Sequence, residues 1–337
     1  MKRIAVVGCG AIASSFHLPV LAPKEGREVS VVLVDPDQER ARAVARRFKL
    51  SEIASSHEDL LGELDGAVIA TPHNLHVPIG LSLVKHGISI LSEKPLATSV
   101  AEIQQLEEAA SRTGAVIAVN QTRRFIPACR EIHRRIQEGE LGAIRQVRMD
   151  EGDRFGWPSA TPAMFGARSG GAGVLLDIGV HALDLASWWL PDEMTLQRYQ
   201  DDSFGGSEAA AHAVLRSGTA EVELRLSWLA KRPNRYTIEG DLETVTWEIY
   251  DLDRISVRSG AQGTVQTIRL PDAPASFEGL APSVISDFLA ALEGGPAPAV
   301  TPRDAMPSMQ IIEACYASRD GFSLPWQRFQ LPTGIKG

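Results

Sequence analysis

Apolar residues in the first third of the chain come in short continuous runs: RIAVV (3–7), VSVVLV (29–34), GAVIA (66–70), ISIL (88–91) and AVIAV (115–119). Runs of this length without alternation predict strands buried on both faces, as in parallel sheets. Helical stretches separate them. Ser99 with Glu102 is a capping-box signature before LEEAA. Asn74 is placed to cap the preceding helix, which should stop near Gly87. Strand and helix in alternation predict βαβ units with right-handed crossovers. The pattern then changes. AEVELRLSW (220–228) puts Val222, Leu224, Leu226 and Trp228 on one face and Glu221, Glu223, Arg225 and Ser227 on the other. TVTWEI (244–249) repeats the alternation, and HAVLRS, RISVRS and TVQTIRL continue it. A period of two predicts strands with one face in a core, as in an antiparallel sheet; the other face is wet or an oligomer interface. Residues 271–307 are Pro-rich but interrupted by helical pattern. Thr301, Pro302 and Asp304 form a helix start, and Pro307 inside it predicts a kink.

A length of 337 residues implies two domains. Acidic residues outnumber basic ones, 42 to 34, for a net charge of −8. That balance gives no general attraction for phosphate backbones or anionic lipid, so neither nucleic acid nor a membrane surface is an expected partner. Cys9, Cys129 and Cys315 are too few and scattered for a disulfide framework or structural zinc, which predicts a reducing, cytoplasmic setting. The start MKRIAVVGCG is basic and then apolar, but Gly-Cys-Gly cuts the run too early for a signal peptide. No apolar run is long enough to span a bilayer.

Candidate chemistry sits where predicted strands end. VVGCGAIAS (6–14) carries Gly8, Gly10 and Ala13 in a G-x-G-x-x-A spacing directly after the first strand, with Ala11 and Ile12 between them. The first glycine allows a tight turn, and the second lets backbone approach a pyrophosphate. The small third residue lets helix and strand pack closely, with phosphate at the helix N-terminus. Asp35 ends the second strand, where a carboxylate binds adenosine ribose hydroxyls and disfavours a 2′-phosphate. It is equally placed to cap the helix starting at Pro36, with Gln38 completing a box, while Arg40 is the residue that could receive a 2′-phosphate. NAD is therefore expected over NADP. ATPHNLHVP (70–78) follows the next strand and brings Thr71, Pro72, His73 and His76 to the same edge. The two histidines lack a third ligand, so they read as surface or cofactor-lining residues and no metal is expected.

SEKP (92–95) ends the fifth strand on two charges and a proline. Lys94 at that edge can hydrogen-bond a substrate oxygen and stabilise developing alkoxide charge. Glu93 is either its partner or a ribose ligand, and a cis bond before Pro95 would help to aim the lysine. Further on, GGAGVLLDIGVHALDLASWW (170–189) carries Asp177, His181 and Asp184 at i, i+4 and i+7, one face of an otherwise apolar helix. Ionisable groups on such a stripe must pair or face a cleft.

Taken together, GCGAIAS, VDPD, ATPHNLH, SEKPLA, RRFIP (123–127), GELG (139–142) and GGAGVLLDIGVHALDLA resemble the Gfo/Idh/MocA family of oxidoreductases along nearly the whole chain. The resemblance implies an α/β fold: an N-terminal Rossmann doubly wound parallel sheet over 1–122, then an α/β domain over 123–337 with a large open, mostly antiparallel sheet. It implies a catalytic group of Lys94, Asp177 and His181, and homodimers or homotetramers packed through the second sheet. Arg124, in RRFIP, is expected at the substrate. GDRFGWPSATPAMF (152–165) and WWLPD (188–192) depart from the family pattern; Phe155 and Trp157 there either offer an apolar face to a sugar ring or pack in the core. The expected activity is NAD-dependent oxidation of a secondary hydroxyl of a sugar, cyclitol or sugar derivative. His181 would be general base, Lys94 would stabilise the alkoxide, and Asp177 would orient His181 or a neighbouring substrate hydroxyl. Two other readings are transient oxidation by tightly held NAD with no net redox change, and a non-catalytic NAD(P)-binding sensor.

Overall fold

A computed structural model describes residues 1–156, 173–203, 207–260 and 263–322. Six strands form the first sheet: β1 (Lys2–Val7), β2 (Val29–Val34), β3 (Glu52–Ala54), β4 (Gly66–Ile69), β5 (Ser89–Glu93) and β6 (Ile117–Asn120). All pairings are parallel, in the order β3-β2-β1-β4-β5-β6. This is the doubly wound order, whose direction reverses between β1 and β4 and opens a ligand crevice at the strands' carboxyl ends. The continuous apolar runs are accounted for: Ile4 to Val7, Val31 to Val34 and Ala67 to Ile69 are buried on both faces. The short edge strand β3 escaped the sequence pattern because its residues are only half-buried or exposed.

The first helices are α1 (Leu18–Leu21), α2 (Gln38–Phe48), α3 (His76–Val84) and α4 (Val100–Thr113). Ser99 caps α4 as expected, its hydroxyl accepting from the Glu102 amide. The Glu102 carboxylate turns instead to the amide and hydroxyl of Thr98. Asn74 does not cap α3. A short 3₁₀ turn over His73–Leu75 leads into the helix without a side-chain cap, so the local turn satisfies what a cap would have.

After α5 (Pro127–Gln137), the chain enters a second sheet with β7 (Ile144–Gly152). Helix α6 (Val180–Trp189) precedes β8 (Met194–Asp201), β9 (Ala210–Ser217), β10 (Ala220–Ser227), β11 (Arg235–Gly240), β12 (Glu243–Glu248), β13 (Arg254–Ser259) and β14 (Val265–Arg269). Helices α7 (Ala281–Leu292) and α8 (Pro302–Ala317) and the short β15 (Asp320–Gly321) follow. The order is β14-β13-β12-β11-β7-β10-β9-β8-β15. Pairing is antiparallel except for β7 with β10 and β8 with β15. Val222, Leu224 and Leu226 point into the core beside α6, while Glu221, Glu223 and Arg225 lie on the open face, as the period of two demanded. Thr301 and Asp304 make the expected reciprocal capping box, and α8 runs continuously through Pro307. Among the described residues no helix is long and apolar enough to cross a membrane. Cys9, Cys129 and Cys315 are buried free thiols.

Candidate active site

The glycine turn lies at the β1/β4 reversal. Gly8 has φ +97°, and a Cβ there would stand 2.6 Å from the Ala70 carbonyl oxygen, so no other residue fits. A Cβ at Gly10 would meet nothing within 4 Å, which leaves the backbone open to an approaching group. Ala13 is fully buried where the chain winds into a π-type turn over Ala13–His17, with Ala11 and Ile12 half-buried ahead of it. Thr71 Oγ1, beside the turn at the end of β4, is out of solvent with no hydrogen-bond partner among the described residues. An open backbone cradle and an orphaned hydroxyl on the crevice fit a dinucleotide.

Asp35 takes up the turn's outer side. Its Oδ2 accepts from the Cys9 amide and its Oδ1 from the Asp37 amide, both at 2.9 Å, and Arg40 Nη1 lies 3.4 Å from each oxygen. The cap of α2 is Asp37, which accepts from the Arg40 amide; Gln38 donates to the carbonyls of Asp35 and Ala54. The capping alternative for Asp35 is thereby corrected by two residues.

Pro72 is exposed, and His73 is half-buried at the crevice edge. Burial, followed by the charges of Lys94 and His76, pulls the His73 imidazole far below the usual histidine range, so it stays neutral. His76 departs from its expected place on the cofactor. It is buried, with Nδ1 2.8 Å from the Pro95 carbonyl oxygen and Nε2 2.9 Å from that of Thr71, so both ring nitrogens bridge backbone rather than face the crevice.

The strand end Glu93-Lys94-Pro95 carries a cis Lys94–Pro95 bond, as the sequence predicts. Glu93 makes no ion pair with Lys94 among the described residues. Its buried Oε1 meets His17 Nε2 and accepts from Asn120 Nδ2, both at 2.7 Å. Burial alone would raise its pKa; the His17 and Asn120 bonds outweigh that and keep it ionised. Lys94 Nζ instead donates to Asp177 twice, to Oδ1 and to the backbone oxygen, each at 2.8 Å. Burial would also raise the Asp177 carboxyl, but the charge and hydrogen bond of Lys94 hold it below the ordinary range.

Asp177 sits in a π-type turn over Leu175–Gly179, and His181 follows one turn later in α6. The segment is anchored from outside. Leu175 N donates to Glu208 Oε1 at 3.0 Å, and the Glu208 carboxylate also meets Tyr316 and Arg319. The stripe of Asp177, His181 and Asp184 does not pair with itself. Asp177 takes Lys94. His181 Nδ1 lies 3.1 Å from Gln121 Oε1, and its Nε2 has no partner among the described residues. Burial, then the charges of Lys94 and Arg123, holds His181 well below the usual histidine range. Asp184 is buried in a bidentate pair with Arg124, at 2.9 and 2.8 Å. Arg124 also reaches Asp304, so it ties α6 to α8 and is not free for a substrate. Arg123 is held by Glu151 and Tyr236 of the second sheet.

Phe155 follows β7; its ring packs edge-on to Trp228 at 5.2 Å against the core, so the packing alternative describes it. Trp157 lies outside the described residues. Sequence reasoning missed Gln121, His17, Asn120 and Glu208. Gln121 and Asn120 close the sixth parallel strand at the ligand edge, a position that marks candidates in itself. Glu208 carried no such signal.

The profile described as oxidoreductase family, NAD-binding Rossmann fold matches residues 2–121, and its companion, the C-terminal alpha/beta domain, matches 133–322. The chain belongs to the Gfo/Idh/MocA oxidoreductase family. It is 30% identical to the rhizopine catabolism protein MocA of Rhizobium meliloti, over 57% of this chain and 58% of that protein. It is also 30% identical to scyllo-inositol 2-dehydrogenase (NAD(+)) of Bacillus subtilis, over 57% and 55%. The match thus spans little more than half the length of these two Gfo/Idh/MocA relatives. A levoglucosan dehydrogenase solved with NADH and levoglucosan shares the fold, with a TM-score of 0.82 at 20% identity over 94% of this chain and 96% of that one.

Proposed function

We propose that this protein is an NAD-dependent dehydrogenase of a secondary hydroxyl on a sugar, cyclitol or sugar derivative. The observation that carries the reading is the Lys94–Asp177 pair, with His181 one turn on, at the edge where the glycine turn ends β1. NAD, when bound, supplies the hydride acceptor. Gly8, Gly10 and the helix start beyond them would hold its pyrophosphate, Asp35 its adenosine ribose, and Thr71, Pro72 and His73 would line its path. His181, neutral, takes the hydroxyl proton on Nε2. Lys94 has one ammonium hydrogen beyond the two given to Asp177, and it donates that hydrogen to the substrate oxygen as charge develops. Asp177 holds Lys94 aimed. Named relatives that act on inositols and a fold neighbour that binds levoglucosan support the substrate class.

A panel of free sugars, inositols and nucleotide sugars, followed at the NADH absorbance, tests this reading. Turnover of one class with stoichiometric NADH supports it; product formed without NADH accumulation replaces it with transient oxidation. We also read the molecule as two domains, 1–122 and 123–337, in line with the two family matches, and as a cytoplasmic homodimer or homotetramer built on the open face of the second sheet. Light scattering of the purified chain tests the assembly; a monomer at micromolar concentration would rule it out.

A further inference from the structure

We propose that Gln121 is a positioning residue for His181: it fixes the imidazole as the Nδ1–H tautomer and leaves Nε2 as the proton acceptor. The proposal rests on the reading of His181 as base. Gln121 Oε1 lies 3.1 Å from His181 Nδ1. With the amide oxygen facing the ring, only an Nδ1–H can donate to it; a neutral imidazole has one N–H, so that arrangement leaves Nε2 bare.

Gln121 is itself held. Its side chain is buried, its backbone N–H donates to the Val119 carbonyl at 2.8 Å, and its backbone carbonyl accepts from the Arg124 N–H at 3.0 Å. Its neighbours fasten the turn on every side. Asn120 donates to Glu93, and Thr122 donates to Asn120. Arg123 meets Glu151 and Tyr236 on the second sheet, and Arg124 meets Asp184, one turn beyond His181 on the same helix. The oxygen is therefore presented from a turn fastened to both sheets and to the helix that carries the base.

The choice of amide has a consequence. A carboxylate at this position would orient the ring equally well but would stabilise the imidazolium. The other charges around His181 are Lys94 from the end of β5, Arg123 from the turn after β6, and Asp177 on its own helix, engaged with Lys94. A neutral orienting group lets burial, and after it the two cations, keep the base unprotonated.

The test uses the full chain. Nitrogen-15 spectra of the histidine rings without cofactor, assigned through His181→Asn, should show His181 protonated at Nδ1 and bare at Nε2; the opposite tautomer overturns the proposal. Gln121→Met should erase that tautomer preference and lower kcat at least tenfold with KM little changed. Gln121→Glu should move the acid limb of kcat/KM upward by a pH unit or more. A purely structural Gln121 would lower stability and leave tautomer and acid limb where they were, and that result also overturns it. The base reading fails separately: His181→Asn at the wild-type rate would remove His181 from catalysis, while the ring spectra still decide whether Gln121 sets its tautomer.

Discussion

Lys94 and His181 are each oriented by a different partner, and that separation sets what their removal should do. Lys94→Ala should leave cofactor affinity within a small factor and lower kcat by about 10²–10³-fold, the usual cost of one oxyanion-stabilising donor. Steady-state kinetics with cofactor titration checks both; a near-normal kcat would reduce the Lys94–Asp177 contact to a structural ion pair. For His181 the sign runs through protonation. The base works only when neutral, and burial with two nearby cations depresses its pKa, so alcohol oxidation should hold through about pH 6.5, the unperturbed value, and fall only in more acid solution. His181→Asn should weaken or remove that limb in a pH–kcat/KM profile. The same shift couples to stability: below about pH 6.5 the unfolded chain binds a proton at this position that the folded chain refuses, so His181 withdraws stability as pH falls. At this scale the sequence singled out Lys94 and Asp177, which the structure pairs, and did not foresee the partners of Glu93 and Arg124. Lys94 and His181 were legible because a strand edge and a polar stripe mark them. The partners of His181 and Glu93 were not, because Gln121 meets His181, and His17 and Asn120 meet Glu93, across sequence separations of 60, 76 and 27 residues.

Helix α6 and the π-type turn before it carry three ionisable groups of the site, whose partners all lie outside the stripe. Spacing puts Asp177, His181 and Asp184 on one face. It does not say that the face is divided among Lys94 from the end of β5 and Gln121 and Arg124, both from the turn after β6. Arg124 and Asp184 are buried, so removing one partner strands a charge. Arg124→Met should destabilise the fold by about 3–5 kcal/mol in chemical denaturation, and Arg124→Met with Asp184→Leu should recover most of that, since an apolar pair can replace a buried ion pair. A loss under about 1 kcal/mol for Arg124→Met would mean that the pair bears little on α6. Caps were legible where side chain and backbone meet locally: Ser99 and Thr301 cap as their spacing says. Asn74 failed because a 3₁₀ turn already enters α3, and β3 was missed because a half-exposed edge strand has no buried face to impose a pattern.

In the whole molecule, the two hydrophobic periods identify the two sheets. Continuous apolar runs gave the parallel sheet, whose order places every candidate turn at one edge, and the period of two gave the second sheet. The parallel pairing of β7 with β10 was not legible, since alternation fixes which face is buried and says nothing of a neighbour's direction. A cofactor seated across the β1/β4 reversal would bind only the folded chain, so it must raise the stability of the whole. At a hundredfold excess over its dissociation constant the gain is about 2.7 kcal/mol, enough to move the melting temperature by several degrees. NAD should give this shift at lower concentration than NADP, because Asp35 stands at the end of β2, where a 2′-phosphate would meet its carboxylate. Both Asp35 oxygens accept from the turn, yet an ionised carboxylate has about four acceptor sites, which leaves room for ribose hydroxyls. Asp35→Asn should narrow the difference between the cofactors, with Arg40 then freed to meet the phosphate. Thermal melts titrated with each cofactor decide it: equal or reversed shifts in the wild-type chain would confine Asp35 to holding the Cys9 and Asp37 amides and make Arg40 the residue that selects the cofactor.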